Sequence, residues 1–178
     1  MTGGNLTSRK PTLILLSGLP GTGKTTFARA LAEQLAFEHV ESDAIRRGLA
    51  PHPTYTSGES AAVFARAEAM ARAALEAGRH ALLDATNLTQ RDRKPFVRLA
   101  RNLGAPIVAV RVTAPEATIR ARLHSPREGF SQAGVDIYER MRERGQPFSL
   151  PVVVIDTRFP LEPGIDLVLR LIHDGDSD

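Results

Sequence analysis

The chain has 178 residues, of which 42% are apolar and 24% charged, and its formal net charge is +3 at pH 7; this is the composition of an ordinary globular domain. No stretch approaches the roughly 20 apolar residues of a membrane span, and zero cysteines exclude a disulfide framework and thiolate metal sites. The cytoplasm is then the plainest location, and one domain is the expectation at a length that buries roughly 70% of the unfolded surface.

Residues 1–10 are expected to form a disordered tail, since Met1 to Ser8 is polar, glycine-containing and aperiodic. Arg9, Lys10 and Leu13 to Leu16 imitate the charged and apolar regions of a signal peptide, but the run is too short and ends in glycines, not at a cleavage site. Thr12 to Leu16 reads as a strand buried on both faces. A glycine-rich loop follows, with a helix beginning at Lys24. Phe37 to Ser42 is a weaker strand, and a short helix is expected around Arg46. Pro51-His-Pro-Thr-Tyr55-Thr is a proline-rich loop, either a connector or an acceptor contact. Thr56 with Glu59 forms a capping box, and the helix from Glu59 to Ala77 puts Val63, Ala67, Met70 and Ala74 on one core-facing stripe. His80 to Leu83 is the next strand, and Thr89 with Asp92 a second capping box. Pro106 to Val112 is another strand, with a third box at Thr113 and Glu116. An interrupted stretch at about 120–134 precedes the last strand, Pro151 to Ile155. Leu161 to His173 closes as a helix, and residues 174–178 are a free acidic end. Strands alternating with helices over residues 11–173 imply right-handed crossovers and a five-stranded, mostly parallel sheet with helices on both faces.

Twenty of the 23 basic residues are arginine. Guanidinium forks for phosphate or nucleic acid are one reading, and arginine-rich codon usage is the other. Each arginine is therefore argued separately.

Gly18-Leu19-Pro20-Gly21-Thr22-Gly23-Lys24-Thr25 matches G-x-x-x-x-G-K-[ST] between a strand and a helix, the context that pattern requires. The glycines let successive N–H groups turn toward phosphate oxygens, and the helix N-terminus adds its dipole. Lys24 would reach the β- and γ-phosphates, and the Thr25 hydroxyl would join Mg²⁺ coordination. Thr26 completes the stretch. A nucleoside triphosphate with Mg²⁺ is the expected ligand.

Doubly wound sheets hold ligands at the carboxyl ends of their strands, where Asp43, Asp84 and Asp156 fall. Asp84 is the expected Mg²⁺ partner. The residue after it is Ala85, where hydrolytic members of this fold usually carry a glutamate that polarises water. The guanine-reading Asn-Lys-x-Asp element and the Leu-Ser-Gly-Gly signature are also missing, which favours ATP and transfer to an acceptor. Transfer to a hydroxyl needs a carboxylate to accept its proton; Asp43, 19 residues beyond Lys24, suits this. Arg46 would lie within reach of an anionic acceptor, with Arg47 and Glu41 facing solvent. Arg120, Arg122 and Arg127 cluster around Pro126 and Gly129 in a lid-like interruption. Arg127 is expected to act as the finger on the transferring phosphoryl group, and Arg120 or Arg122 as a base or phosphate contact.

Gly18–Thr26, Glu41-Ser-Asp43-Ala-Ile-Arg46, Leu83-Asp84-Ala-Thr-Asn87-Leu-Thr-Gln-Arg91-Asp-Arg93, the Arg122 to Arg127 lid and Val153-Val-Ile-Asp156-Thr157 together resemble the AAA_33-type P-loop kinases. That group includes polynucleotide 5′-hydroxyl kinase domains and is similar to chloramphenicol phosphotransferase and zeta toxins. The likeness runs from about Thr12 to Thr157. It implies an α/β P-loop NTPase fold, a three-layer α/β/α sandwich with an arginine-bearing lid, using ATP and Mg²⁺. It further implies Asp43 as general base, Arg46 on the acceptor's phosphate, Asn87 near the acceptor and Arg127 as the lid arginine. The acceptor stays open between the 5′-hydroxyl of a nucleic acid or nucleotide and a small molecule such as an antibiotic, sugar or nucleoside. No clear aromatic platform for stacking a base stands out; Tyr55 and Phe130 are isolated candidates. A nucleotide-dependent switch or assembly ATPase is the alternative from another class. No membrane partner is expected, and oligomeric state is left open.

Overall fold

The computed structural model describes residues 10–50, 52–54, 56–124 and 134–174. The expectations for the N-terminal tail, Tyr55, Arg127, Phe130 and the acidic end lie outside the described residues.

Five strands form one parallel sheet: β1 (Leu13–Ser17), β2 (Phe37–Glu41), β3 (His80–Asp84), β4 (Ile107–Thr113) and β5 (Val152–Asp156), in the order β2-β3-β1-β4-β5. Seven described helices alternate with them: α1 (Lys24–Ala32), α2 (Ser42–Leu49), α3 (Ser57–Glu76), α4 (Gln90–Asn102), α5 (Glu116–His124), α6 (Val135–Met141) and α7 (Glu162–Asp174). The expected all-apolar strands are explained by two covered faces, because alternate side chains enter different cores. Ile14, Leu16, Val108 and Val110 pack on one side with Phe27 and Leu31 of α1 and Ile165, Val168 and Ile172 of α7. Leu13, Leu15 and Leu83 point the other way, into Ala67, Ala71 and Ala74 of α3 and Phe96 and Leu99 of α4. The three-layer α/β/α sandwich follows, and no described helix is long and apolar enough to cross a membrane.

Alanines on the buried stripe of α3 let that helix lie close to the sheet; Met70, expected on the stripe, is only partly buried and packs at its margin. Phe96 has 0% exposure, and truncating such a ring to alanine costs about 3–5 kcal/mol.

The three expected capping boxes fare differently. Thr89 and Asp92 close a complete box at α4. Thr56 accepts from the Glu59 amide, but the Glu59 carboxylate turns to Arg46 and Thr54, leaving half a box. Thr113 is no cap: it ends β4, and its hydroxyl donates to the Ile155 carbonyl at 3.2 Å, joining β4 to β5. Pro95 lies inside α4.

This topology fixes where a ligand can sit. β1 is central, with β3 on one side and β4 on the other, so the chain leaves it in opposite directions and opens a crevice at the carboxyl ends.

Candidate active site

The loop after β1 is held open by its own backbone. A Cβ on Gly18 would meet the Val112 carbonyl oxygen at 2.5 Å, so only glycine lets β1 turn there. Gly23 caps α1 in the left-handed region at φ 101°, where glycine costs nothing and other residues are strained. Thr22, 2% exposed, donates its hydroxyl to the Leu19 carbonyl at 2.8 Å. Lys24 Nζ donates to Gly18 O at 3.0 Å and Leu19 O at 3.1 Å. The loop is thus curled around the lysine, with the α1 N-terminus pointing out of it.

An open cleft of about 1450 Å³ lies over this loop. That exceeds the 300–1,000 Å³ of an ordinary small-ligand pocket and gives room for two substrates. Pro20, Gly21, Gly23, Lys24, Thr25 and Thr26 line one part of it; Asp43, Arg46, Asp84 and Arg122 also line it. Gly18, Leu19 and Thr22 of the loop do not line it, and Leu19 packs instead on the Ile119–Leu123–Tyr138 cluster.

At the floor, the Thr25 hydroxyl donates to Asp84 Oδ2 at 2.9 Å, and His39 Nε2 lies 3.2 Å from the same oxygen. Asp84 is 3% exposed. β2 and β3 pair Glu41 with Asp84, which brings a second carboxylate alongside. Burial pushes the Glu41 carboxyl above its usual range, with Asp84 and Asp43 adding to the rise and His39 and Arg29 opposing it. Glu41, expected in solvent, is half-buried and lines the cleft, and Arg47 is also partly buried. The fit to Mg²⁺ rests on the Thr25–Asp84 contact. A hydroxyl donating its proton to a carboxylate keeps lone pairs for a hard cation, and both donors are oxygen. Among the described residues no group of three or more His, Cys, Asp or Glu forms a metal cage, and Mg²⁺, which retains several waters, does not need one.

Asp43 lies in the first turn of α2. Arg46 is 8% exposed and ion-paired with Glu59 of α3, so it reaches the cleft from a fixed seat and not as a mobile arm. That pair, with Thr54, holds the Glu59 carboxyl down at about 2. Asn87 does not join the cleft. It is 0% exposed at φ 45°, and its side-chain amide donates to the Leu16 carbonyl at 2.6 Å, stitching the end of β1 to the loop after β3. Its expected place near an acceptor is corrected accordingly: Asn tolerates the left-handed backbone that this turn requires. Asp156 is held by Arg158 at 2.7 Å instead of facing the cleft.

The expected lid, about 120–134, lies largely outside the described residues; the helices on its two sides, α5 and α6, are described. Arg120 and Arg142 bridge Glu116 of α5 and Glu139 of α6, which turns Arg120 away from any base or phosphate. Arg122 is the cleft-facing one. Its guanidinium donates to Gly21 O and Thr22 O at 3.2 Å and to Thr157 Oγ1 at 2.9 Å, tying α5 to the phosphate-loop backbone.

Sequence reasoning missed His39, Glu41 and Arg93. The first two become neighbours of Asp84 only through β2–β3 pairing. Arg93 was visible only inside the quoted motif.

The AAA_33 family, described as an AAA domain, matches residues 13–148. The chain belongs to that family. An uncharacterised protein of Mycobacterium tuberculosis is 29% identical over 144 residues, covering 74% of this chain and 29% of that protein. The L-seryl-tRNA(Sec) kinase of Methanococcus maripaludis is 23% identical over 150 residues, covering 82% of this chain and 59% of the relative. The chain therefore spans less than two thirds of the length of these relatives. Among solved structures, a putative kinase of Chloroflexus aurantiacus superposes with a TM-score of 0.73 at 20% identity, covering 94% of this AAA_33 chain and 98% of that one. Kti12 of Chaetomium thermophilum, solved with ADP-AlF3, gives 0.71 at 20% identity, over 92% and 98%. At these identities the likeness is one of fold.

Proposed function

We propose that this chain is an ATP-dependent kinase that transfers the γ-phosphate to a hydroxyl on an anionic acceptor, a 5′-hydroxyl of a nucleic acid or nucleotide being the favoured class. The observation that carries it is the sharing of one cleft by the phosphate loop and Asp43, with Ala85 where a hydrolytic enzyme would carry glutamate. The loop amides and Lys24 hold the triphosphate, and Arg122, fixed to that loop, lies beside it. Thr25 and Asp84 are the side chains that would hold Mg²⁺, which when bound neutralises phosphate charge. Asp43 accepts the acceptor's proton as its oxygen attacks in line. Arg127 remains the expected finger. Arg46, Arg91 and Arg144 all line the cleft, which supports an acceptor carrying negative charge. A small neutral acceptor such as a sugar, antibiotic or nucleoside is the second reading, supported by Phe64, Ile137 and Met141 in the same lining.

The test is γ-labelled ATP with a panel of 5′-hydroxyl oligonucleotides, nucleotides, nucleosides, sugars and antibiotics. Label is expected on a phosphorylated or polyanionic member. Label on neutral members alone would select the second reading. Phosphate release at one rate with or without every acceptor, together with assembly on a slowly hydrolysed analogue, would select a switch or assembly ATPase and end the kinase reading.

A further inference from the structure

Arg93 is the largest fully buried side chain among the described residues, 1% exposed, and every hydrogen bond it makes there goes to a main-chain carbonyl. Nη1 donates to Asn87 O at 2.8 Å and Leu88 O at 2.9 Å; Nη2 donates to Gln146 O at 3.1 Å and Pro147 O at 2.6 Å. Its guanidinium also lies 4.2 Å from the centre of the Phe148 ring. Burying a permanent cation costs several kcal/mol unless its donors are satisfied, and here four carbonyls and an aromatic face satisfy it. The two carbonyl pairs belong to segments more than 50 residues apart, the loop after β3 and the connector from α6 to β5.

Other bonds close the same junction. The Gln146 amide donates to Leu88 O at 2.9 Å, the Gln90 amide to Gln146 Oε1 at 2.7 Å and Gln90 Nε2 to Pro147 O at 2.8 Å. Leu88, Thr89 and Gln146 line the cleft, as do Met141 and Arg144 just before the junction. The bonds from Lys24, Thr25 and Arg122 run elsewhere.

We propose that Arg93 is a positioning residue for the acceptor: by clamping Gln146–Pro147 onto Asn87–Leu88, it sets the acceptor-side wall of the cleft and the point to which the α6 arm returns. The acceptor role rests on the kinase reading above; the clamp does not. Lysine cannot replace it, because a single ammonium lacks the planar fork that spans two carbonyl pairs.

The experiment compares the full chain with Arg93→Lys, and with Arg93→Ala in the presence and absence of millimolar guanidinium ion. Arg142 and Arg144 are exposed beside the clamp, so tryptic cleavage there reports its opening. Arg93→Lys is expected to be cut about tenfold faster there, with increased hydrogen exchange at 146–149 and binding of a slowly hydrolysed ATP analogue unchanged within about twofold. Guanidinium is expected to restore protection to Arg93→Ala and, with a 5′-hydroxyl oligonucleotide as acceptor, to bring a raised acceptor KM back down while the KM for ATP stays constant. Unchanged cleavage and exchange in Arg93→Lys, or analogue binding that falls in step with them, would overturn the proposal. Wild-type protein that labels no acceptor defeats the kinase reading and with it the acceptor role, while the cleavage result still decides the clamp.

Discussion

One end of the cleft is built on a single contiguous loop, Gly18–Thr26; the other end, which the kinase reading gives to the acceptor, is assembled from side chains on α2, α3 and α4 and the connector after α6. A contiguous backbone device keeps its shape wherever its glycines and strand–helix context recur. An assembled wall depends on the packing of every element that contributes to it. On the kinase reading, chemistry at the first end would be common to a family and selectivity at the second particular to a chain.

The sharpest way to break this contrast is at Lys24. Lys24→Ala is expected to lower kcat for label transfer by about 10²–10³, the scale for removing one preorganised charge from a transferring group. A loss under tenfold would place the phosphate grip elsewhere. Asp43→Asn should lower transfer by about 10² or more while leaving ATP-analogue binding intact. Equal turnover would remove Asp43 from proton transfer and move the active carboxylate toward Glu41. Arg144→Ala, which touches only the assembled wall, should raise the acceptor KM by about tenfold with kcat unaltered. A matching rise in the KM for ATP would merge the two ends into one site.

The smallest effect concerns the seat of Arg46. Glu59 is held at about 2 in the folded chain against 4.5 unfolded, so its contribution to stability is fully present above pH 4.5 and is lost as pH falls toward 2. The Tm of Glu59→Gln should lie below that of the parent at neutral pH, and the gap should close across that window. A gap independent of pH would assign the effect to packing.

The strands and the phosphate loop were legible because their signals are local: continuous apolar runs demand two covered faces, and the glycine–lysine spacing is a backbone device. The fates of Thr113 and Asn87 were not. Thr113 has the spacing of a cap, yet β5 offers its hydroxyl a carbonyl that no local pattern announces. Asn87 has the composition of a polar site residue, yet pairing of β1 with β3 draws its amide to Leu16. Arg46 was read from its charge and its distance from Asp43, but its partner Glu59 is set by how α2 meets α3. His39 and Glu41 became neighbours of Asp84 only through strand order.

Pro95 has one further consequence. Lacking an N–H, it cannot donate to the Arg91 carbonyl, so one rung of the α4 ladder is missing between the opening turn and the half anchored by Phe96 and Leu99. The Thr89–Asp92 cap and the Arg93 fork hold that turn instead. That turn is therefore tied to the loop after β3 as well as to its own helix, and Arg91, which lines the cleft, sits at the missing rung.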